Sequence, residues 1–291
     1  MVDCGKELIE LCRRRNIKIW EYAIEDEVNS TGISEQEIIR KMKRNLDVMK
    51  QSSEYALTHS IKSVSGLIGG DACRLNTYLQ NSSSLTGNFM IKVMSRALSC
   101  SEVNASMGKI VAAPTAGSCG ILPAVIITAG EKLEKNEDEL VRALFTASCI
   151  GVIIAKNATL AGAEGGCQAE CGSAAAMAAG AVVEMMGGTP EMCLSAAAIV
   201  IKNIMGLVCD PVAGLVEIPC AKRNVSGAVN AVTAADMVMA GVHSRIPFDD
   251  VVSAMYEVGK SMPCELRETA LGGLAVTKTG LELKKRIAEK K

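Results

Sequence analysis

The run GSAAAMAAGAVVEMMGG, Gly172 to Gly188, constrains this chain more than any other stretch. Side chains this small bury little apolar area each, so the run is stabilising only where neighbouring elements come very close. Helices can do so across Ala and Gly surfaces, although each glycine inside a helix costs roughly 1 kcal/mol relative to alanine. The same bias toward Ala, Gly and Ser extends over the middle of the chain, roughly 105 to 245. Strand signals are missing: aromatics make up 3% of residues, and no Asn-Gly or Asp-Gly turn joins two alternating runs. No strand-helix-strand series appears either. The pattern predicts an all-α fold, a compact multi-helix domain with Gly/Ala-rich central helices.

Helix punctuation supports that reading. Ser34 to Glu37 (SEQE) has the form of a capping box opening a charged helix through about Ala56, with Ile38, Ile39, Met42, Leu46 and Met49 at helical spacing. Asn136 to Glu139 (NEDE) opens another, followed by Leu140, Leu144 and Phe145. Thr189-Pro190-Glu191 supplies an N-cap, a first-turn proline and an acid suited to the helix dipole, predicting a helix to about Met205. Similar punctuation recurs at Pro247-Phe248-Asp249-Asp250. With 291 residues, 49% of them hydrophobic, the chain can bury a sizeable core. It reads as a single domain over 1–291, with 1–60 a charged helical N-terminal layer on a core at 61–280.

A formal charge of −1 leaves no basic field for nucleic acid. The opening MVDCGKELIELCRRR has neither the apolar run nor the small-residue site of a secretory signal, so the expected location is cytoplasmic. In that reducing compartment the twelve cysteines are not expected to form disulfides. Between Lys109 and Glu131 no residue is charged, but Pro114, Thr115, Gly117, Ser118, Gly120 and Pro123 interrupt the stretch. It reads as a buried loop leading into a helix, not as a membrane span.

The inventory for chemistry is small. Two histidines, His59 and His243, cannot build a histidine-rich metal site, and a lone histidine is more often a surface or polar-core residue than a catalyst. No Cys-x-x-Cys occurs, which removes zinc ribbons and thioredoxin-like pairs. Cys167 and Cys171 are helix neighbours. Cys209 and Cys220 end the loop CDPVAGLVEIPC, with Pro211 and Pro219 near them. Rigid loop ends suit cluster ligands, yet any one cysteine is more often a small buried hydrophobe, and spacing alone does not choose among twelve. The loop AAPTAGSCGILPAV, with Thr115 and Ser118, reads equally as a backbone N–H nest for an anion or as a tight packed turn. In SGLIGGDACRL, Gly69, Gly70 and Asp71 read as a helix cap in preference to the alternative, a ligand-facing turn.

Five blocks together carry a resemblance. SGLIGGDACRL, EVNASMGKIVAAPTAGSCGILPAV, NATLAGAEGGCQAECGSAAAMAAG, GLVCDPVAGLVEIPCAKRN and RETALGGLA run in order from about Ser65 to Ala275. They resemble the α subunit of the bacterial iron-sulfur-dependent L-serine dehydratases. The resemblance implies a 4Fe-4S cluster held by three cysteines, which match Cys167, Cys209 and Cys220, leaving one iron without a cysteine ligand and Cys171 a bystander. It further implies no pyridoxal phosphate, and a substrate-side loop matching Thr115, Ala116, Gly117 and Ser118.

The implied reaction is dehydration of L-serine, through aminoacrylate and its imine, to pyruvate and ammonia. An iron with an open position acts as a Lewis acid for the carboxylate and the departing hydroxyl. The catalytic base is not assignable from sequence; Lys109, Lys156 and Arg267 read as structural or substrate-orienting. Single-chain members carry a further domain with a Ser-Ser-Ser-His-Thr-x-Gly-Pro motif, which is absent here, so a separate β subunit and a hetero-oligomer are expected. Those forms can also end in a cysteine that reaches the fourth iron at rest, whereas the last cysteine here is Cys264. Three rivals have distinct signatures. Cysteine desulfidation would place the substrate thiol on the same iron. A pyridoxal-phosphate dehydratase would bring strand-helix alternation, and a helical scaffold with incidental cysteines would bind no metal.

Overall fold

A central helix of small residues organises the computed structural model, which describes residues 2–81 and 83–289. In chain order the α-helices are α1 (Gly5–Arg15), α2 (Ile19–Thr31), α3 (Glu35–Thr58), α4 (Asp71–Asn81), α5 (Gly87–Ala105), α6 (Ile121–Lys132) and α7 (Glu137–Asn157). They continue as α8 (Gly162–Gly165), α9 (Ser173–Met185), α10 (Pro190–Ile204), α11 (Cys220–Met239), α12 (Phe248–Ser261) and α13 (Lys278–Ala288). No strand occurs among the described residues, so the fold is all-α; the one bridge-type pairing among them joins Cys209 to Arg267.

Helix α9 is buried from Ser173 to Val183 and is enclosed by α6, α7, α10 and α11. Its small residues let the neighbours in. A Cβ at Gly180 would collide with Ile150 Cδ1 of α7 and stand 3.2 Å from the Cys193 carbonyl of α10. The same crowding appears at Gly151 of α7, where a Cβ would lie 2.9 Å from Met177 Sδ of α9. Tight approach replaces side-chain bulk, and the dense packing recovers the dispersion contacts that alanine alone would forfeit. One hydrophobic cluster extends from Leu8 of α1 through α9 to Met255 of α12.

The outer helices are held more locally. Asn136 and Glu139 form the reciprocal box at the start of α7, with hydrogen bonds of 2.9 and 3.0 Å. Thr189 Oγ1 accepts from the Met192 amide above Pro190, and α10 ends at Ile204. At α3 the expected box is only half made. Ser34 accepts from the Glu37 amide, but the Glu37 carboxylate turns to Arg40 and Arg44 instead. Lys43 reaches Asp138 at 2.7 Å, tying α3 to α7.

The uncharged stretch after Lys109 becomes loop and then α6, and no helix among the described residues is long and apolar enough to cross a membrane. Helix α4 begins at Asp71, but its first amides are capped from another helix. Asp71 N and Ala72 N donate to Glu102 Oε1 of α5 at 2.7 and 3.2 Å. Asp71 itself pairs with Arg74 and Lys222.

Candidate active site

Four chain segments meet beside the N-terminal end of α9. The first is the wide turn Gln168–Gly172, wound as π-helix between Cys167 and α9. Such turns shift the register of the side chains that follow and recur at functional sites. Gln168 anchors this turn by donating from Nε2 to the Met255 carbonyl at 2.9 Å and accepting at Oε1 from the Gly206 amide at 2.8 Å. Its own amide donates to the Leu207 carbonyl at 3.0 Å, so Cys167 is brought to the loop that carries Cys209.

The second segment is that loop, Leu207 to Pro219, and the third runs from Cys264 to Val276. The Cys209 amide donates to the Leu266 carbonyl, and the Glu268 amide to the Cys209 carbonyl, both at 2.8 Å. Glu268 adopts a left-handed φ of 64°, an uncommon conformation for a side-chain-bearing residue. Asp210 fastens the same loops. Its Oδ2 accepts from the Leu274 amide at 2.7 Å, while Oδ1 stands 2.8 Å from Arg223 Nη2, out of line for a hydrogen bond. Arg223 Nη1 donates to the Val208 carbonyl at 2.7 Å.

The fourth segment is the turn Ala116–Ser118 with Thr115 before it. Asn224, buried one turn after Cys220 in α11, ties it down by accepting from the Gly120 amide at 2.8 Å and donating to the Gly117 carbonyl at 2.7 Å. The same Nδ2 donates to the Cys220 carbonyl at 2.9 Å, so loop and cysteine are fixed together. Ser118 is fully buried, its hydroxyl 3.2 Å from Thr115 Oγ1. Ala116 is exposed and Gly117 half-buried at the open side of the turn.

The structure brings Cys167, Cys209 and Cys220 into one electrostatic neighbourhood. Cys167 and Cys209 are buried, Cys220 is half-buried, and all three are free. Burial, and then the charge of Cys167, push the Cys209 thiol up and the Cys220 thiol up to about 12. Cys167 moves the other way: Cys171, its sulfur 3.4 Å distant, hydrogen-bonds to it and favours the thiolate, burial opposes, and the Arg223 guanidinium adds to the lowering. No three histidine, cysteine or acidic side chains among the described residues are grouped to hold a single metal ion. Surface hollows of about 520 and 510 Å³ lie elsewhere, one lined by Gly5, Arg13, Leu194 and Phe248, another by Cys12, Asn16 and Pro190.

At the centre of the junction sits a residue that the sequence did not single out. The Glu170 side chain is 9% exposed, and Oε1 accepts from Thr115 Oγ1 at 2.8 Å. Two glycines stand over the carboxyl. A Cβ at Gly117 would be 3.1 and 3.2 Å from its two oxygens, and one at Gly162 would be 2.7 Å from Oε2 and 3.2 Å from Glu268 Oε2. Burial raises the Glu170 carboxyl above its ordinary value; Thr115 opposes this and Glu268 adds to it. The available signal was one acid in an otherwise small and apolar run, GGCQAECGSAAAM. Of the three cations considered from sequence, Lys156 pairs with Asp3 at 2.9 Å, and Arg267 lies in the segment paired with Cys209, its Nε buried without a hydrogen-bond partner. Lys109 is exposed beside Gly108, at a hollow also lined by Tyr55 and Ser106.

Fold and site define a helical protein in which buried thiols and a buried carboxyl share one junction. The model of the serine dehydratase alpha chain family matches residues 14–275. A probable L-serine dehydratase alpha chain of Bacillus subtilis is 50% identical over 282 residues, covering 97% of this chain and 94% of its own length. The L-serine dehydratase alpha chain of Peptoniphilus asaccharolyticus is 51% identical over 285 residues, covering 98% of each. An L-serine dehydratase of Streptomyces coelicolor is 38% identical over 275 residues, 94% of this chain but 60% of its own length. The chain belongs to the serine dehydratase alpha chain family.

Proposed function

We propose that this chain is the cluster-bearing subunit of an L-serine ammonia-lyase, converting L-serine to pyruvate and ammonia. The observation that carries this reading is the meeting of Cys167, Cys209 and Cys220 with the Thr115-bound carboxyl of Glu170 at one junction. The donor set fits a 4Fe-4S cluster. Three sulfurs without a histidine are soft ligands of the kind clusters use, and Arg223 lies near Cys167 and Cys220 to offset thiolate charge. A cluster spreads its thiolates over separate irons, so it does not require three ligands gathered about a single ion. When bound, it supplies a Lewis-acidic iron without a cysteine ligand, suited to an oxygen-bearing substrate.

The chain's own groups prepare the substrate. The turn at Thr115, Ala116, Gly117 and Ser118 touches the junction through Thr115, and in this reading its Ala116 and Gly117 amides orient the substrate carboxylate. Ser118 braces the turn through Thr115, and Asn224 fixes its position relative to Cys220. A separate β subunit completes the enzyme. Support comes from the alpha-chain names of the Bacillus and Peptoniphilus relatives and from the longer Streptomyces protein. Anaerobic reconstitution of the chain with its partner, followed by iron, sulfide and pyruvate assays, tests the reading. The expected result is about four irons and four sulfides per chain, with pyruvate from L-serine. A folded, iron-free protein sinks the cluster, and turnover of L-cysteine with none of L-serine sinks the substrate.

A further inference from the structure

Most buried acids in this molecule have an evident structural task. Glu102 caps α4 through two amides, Glu184 accepts from the Ile19 amide and from Thr146, and Asp210 joins Arg223 to the Leu274 amide. Glu217 accepts from Ser65 Oγ at 2.7 Å. Glu170 differs. Among the described residues its one side-chain hydrogen bond comes from Thr115 and it forms no ion pair with a cation, and its second oxygen is directed at the space left by Gly162. A desolvated carboxyl without a cation or an amide cap is costly to a fold. Placing it beside three thiols, under two glycines and on a π-helical turn gives that cost a function.

We propose that Glu170 is the catalytic base that removes the α-proton of the bound amino acid, an assignment that rests on the serine reading above. Thr115 fixes Oε1 and leaves Oε2 to take the proton, while the turn carrying Thr115 also holds the substrate carboxylate. The Cα–H electron pair becomes the Cα=Cβ bond as the Cβ–O bond breaks. The departing hydroxide receives the proton from Glu170 and leaves as water, restoring the carboxylate. The resulting 2-aminoacrylate isomerises to its imine, which water hydrolyses to pyruvate and ammonia. General-base catalysis of this kind contributes roughly 10²–10⁴-fold.

Glu170→Gln in the anaerobically reconstituted complex tests the assignment. Iron and sulfide content and the serine-induced change in the cluster's electron paramagnetic resonance spectrum are expected to persist. Pyruvate formation and exchange of the serine α-proton for solvent deuterium are expected to fall together by about 100-fold or more. Glu170→Ala opens room for a small carboxylate, and added formate is expected to restore part of the lost rate. Glu170→Gln turning over like the parent overturns the assignment. So does a loss of rate that follows loss of iron, with no formate rescue in Glu170→Ala. A parent complex that holds its cluster but makes no pyruvate from L-serine overturns the serine reading itself, which separates the two failures.

Discussion

Helix α9 and the junction at its N-terminal end lie one turn apart in sequence but are held by different physics. From Ser173 to Val183 the helix is almost wholly apolar and is kept in place by close approach of α6, α7, α10 and α11. At the junction, position is set by single polar links between distant segments: Thr115 to Glu170, Asn224 to Gly117 and Gly120, Asp210 to Leu274. Packing forces are many and individually weak, so they tolerate local adjustment until volume changes. A buried polar link is one bond, and losing it leaves a desolvated group with nothing to replace it.

The difference predicts two kinds of mutant. Gly180→Val forces a branched side chain against Ile150 and the Cys193 carbonyl, and overpacking of this sort costs about 3 kcal/mol. Urea unfolding of the apo chain should record that loss, while the folded fraction keeps its KM for serine. Asn224→Ala does the reverse. It strips the Gly120 amide and two carbonyls of a partner, a cost of about 2 kcal/mol, and releases the turn proposed to orient the substrate. KM should rise several-fold in the complex. Equal effects of the two substitutions on KM would erase the distinction between packed centre and tethered site.

The same division explains what could be read from the sequence. Helix α7 was legible because Asn136 and Glu139 sit three residues apart and cap each other, and α10 because Thr189 and Pro190 act on the amides beside them. Small-residue bias located α9 because burial follows from composition. At α3 a local competitor decides, with Glu37 taking Arg40 and Arg44 over the Ser34 amide, and where a link crosses the chain local reading falls short, as at α4, which takes its cap from Glu102. Glu170 was passed over for this reason. Its partner Thr115 is 55 positions away, and nothing in the neighbouring residues announces the glycines that stand over it. The choice of Cys167, Cys209 and Cys220 among the twelve rests on resemblance, since Cys167 meets the Cys209 loop through backbone contacts that spacing does not encode.

Glu184 offers a finer test, because it places a polar link of the second kind inside the region of the first. It lies near the C-terminal end of α9, accepting from the Ile19 amide at 2.7 Å and from Thr146. Burial raises its carboxyl above the ordinary 4.5, and Thr146 and the Ile19 amide only partly oppose this. A carboxyl raised on folding binds its proton more tightly in the native state than in the unfolded chain. Its contribution to stability is therefore fully present below about pH 4.5 and is lost as pH rises through the raised native value. A glutamine does not titrate and cannot follow. Measured by urea unfolding, the stability of the parent relative to Glu184→Gln should fall as pH rises above about 4.5 and through the raised native value. A difference that stays constant or grows would mean that the α2 amide and Thr146 outweigh desolvation, and that a single polar link can dominate even within the packed centre.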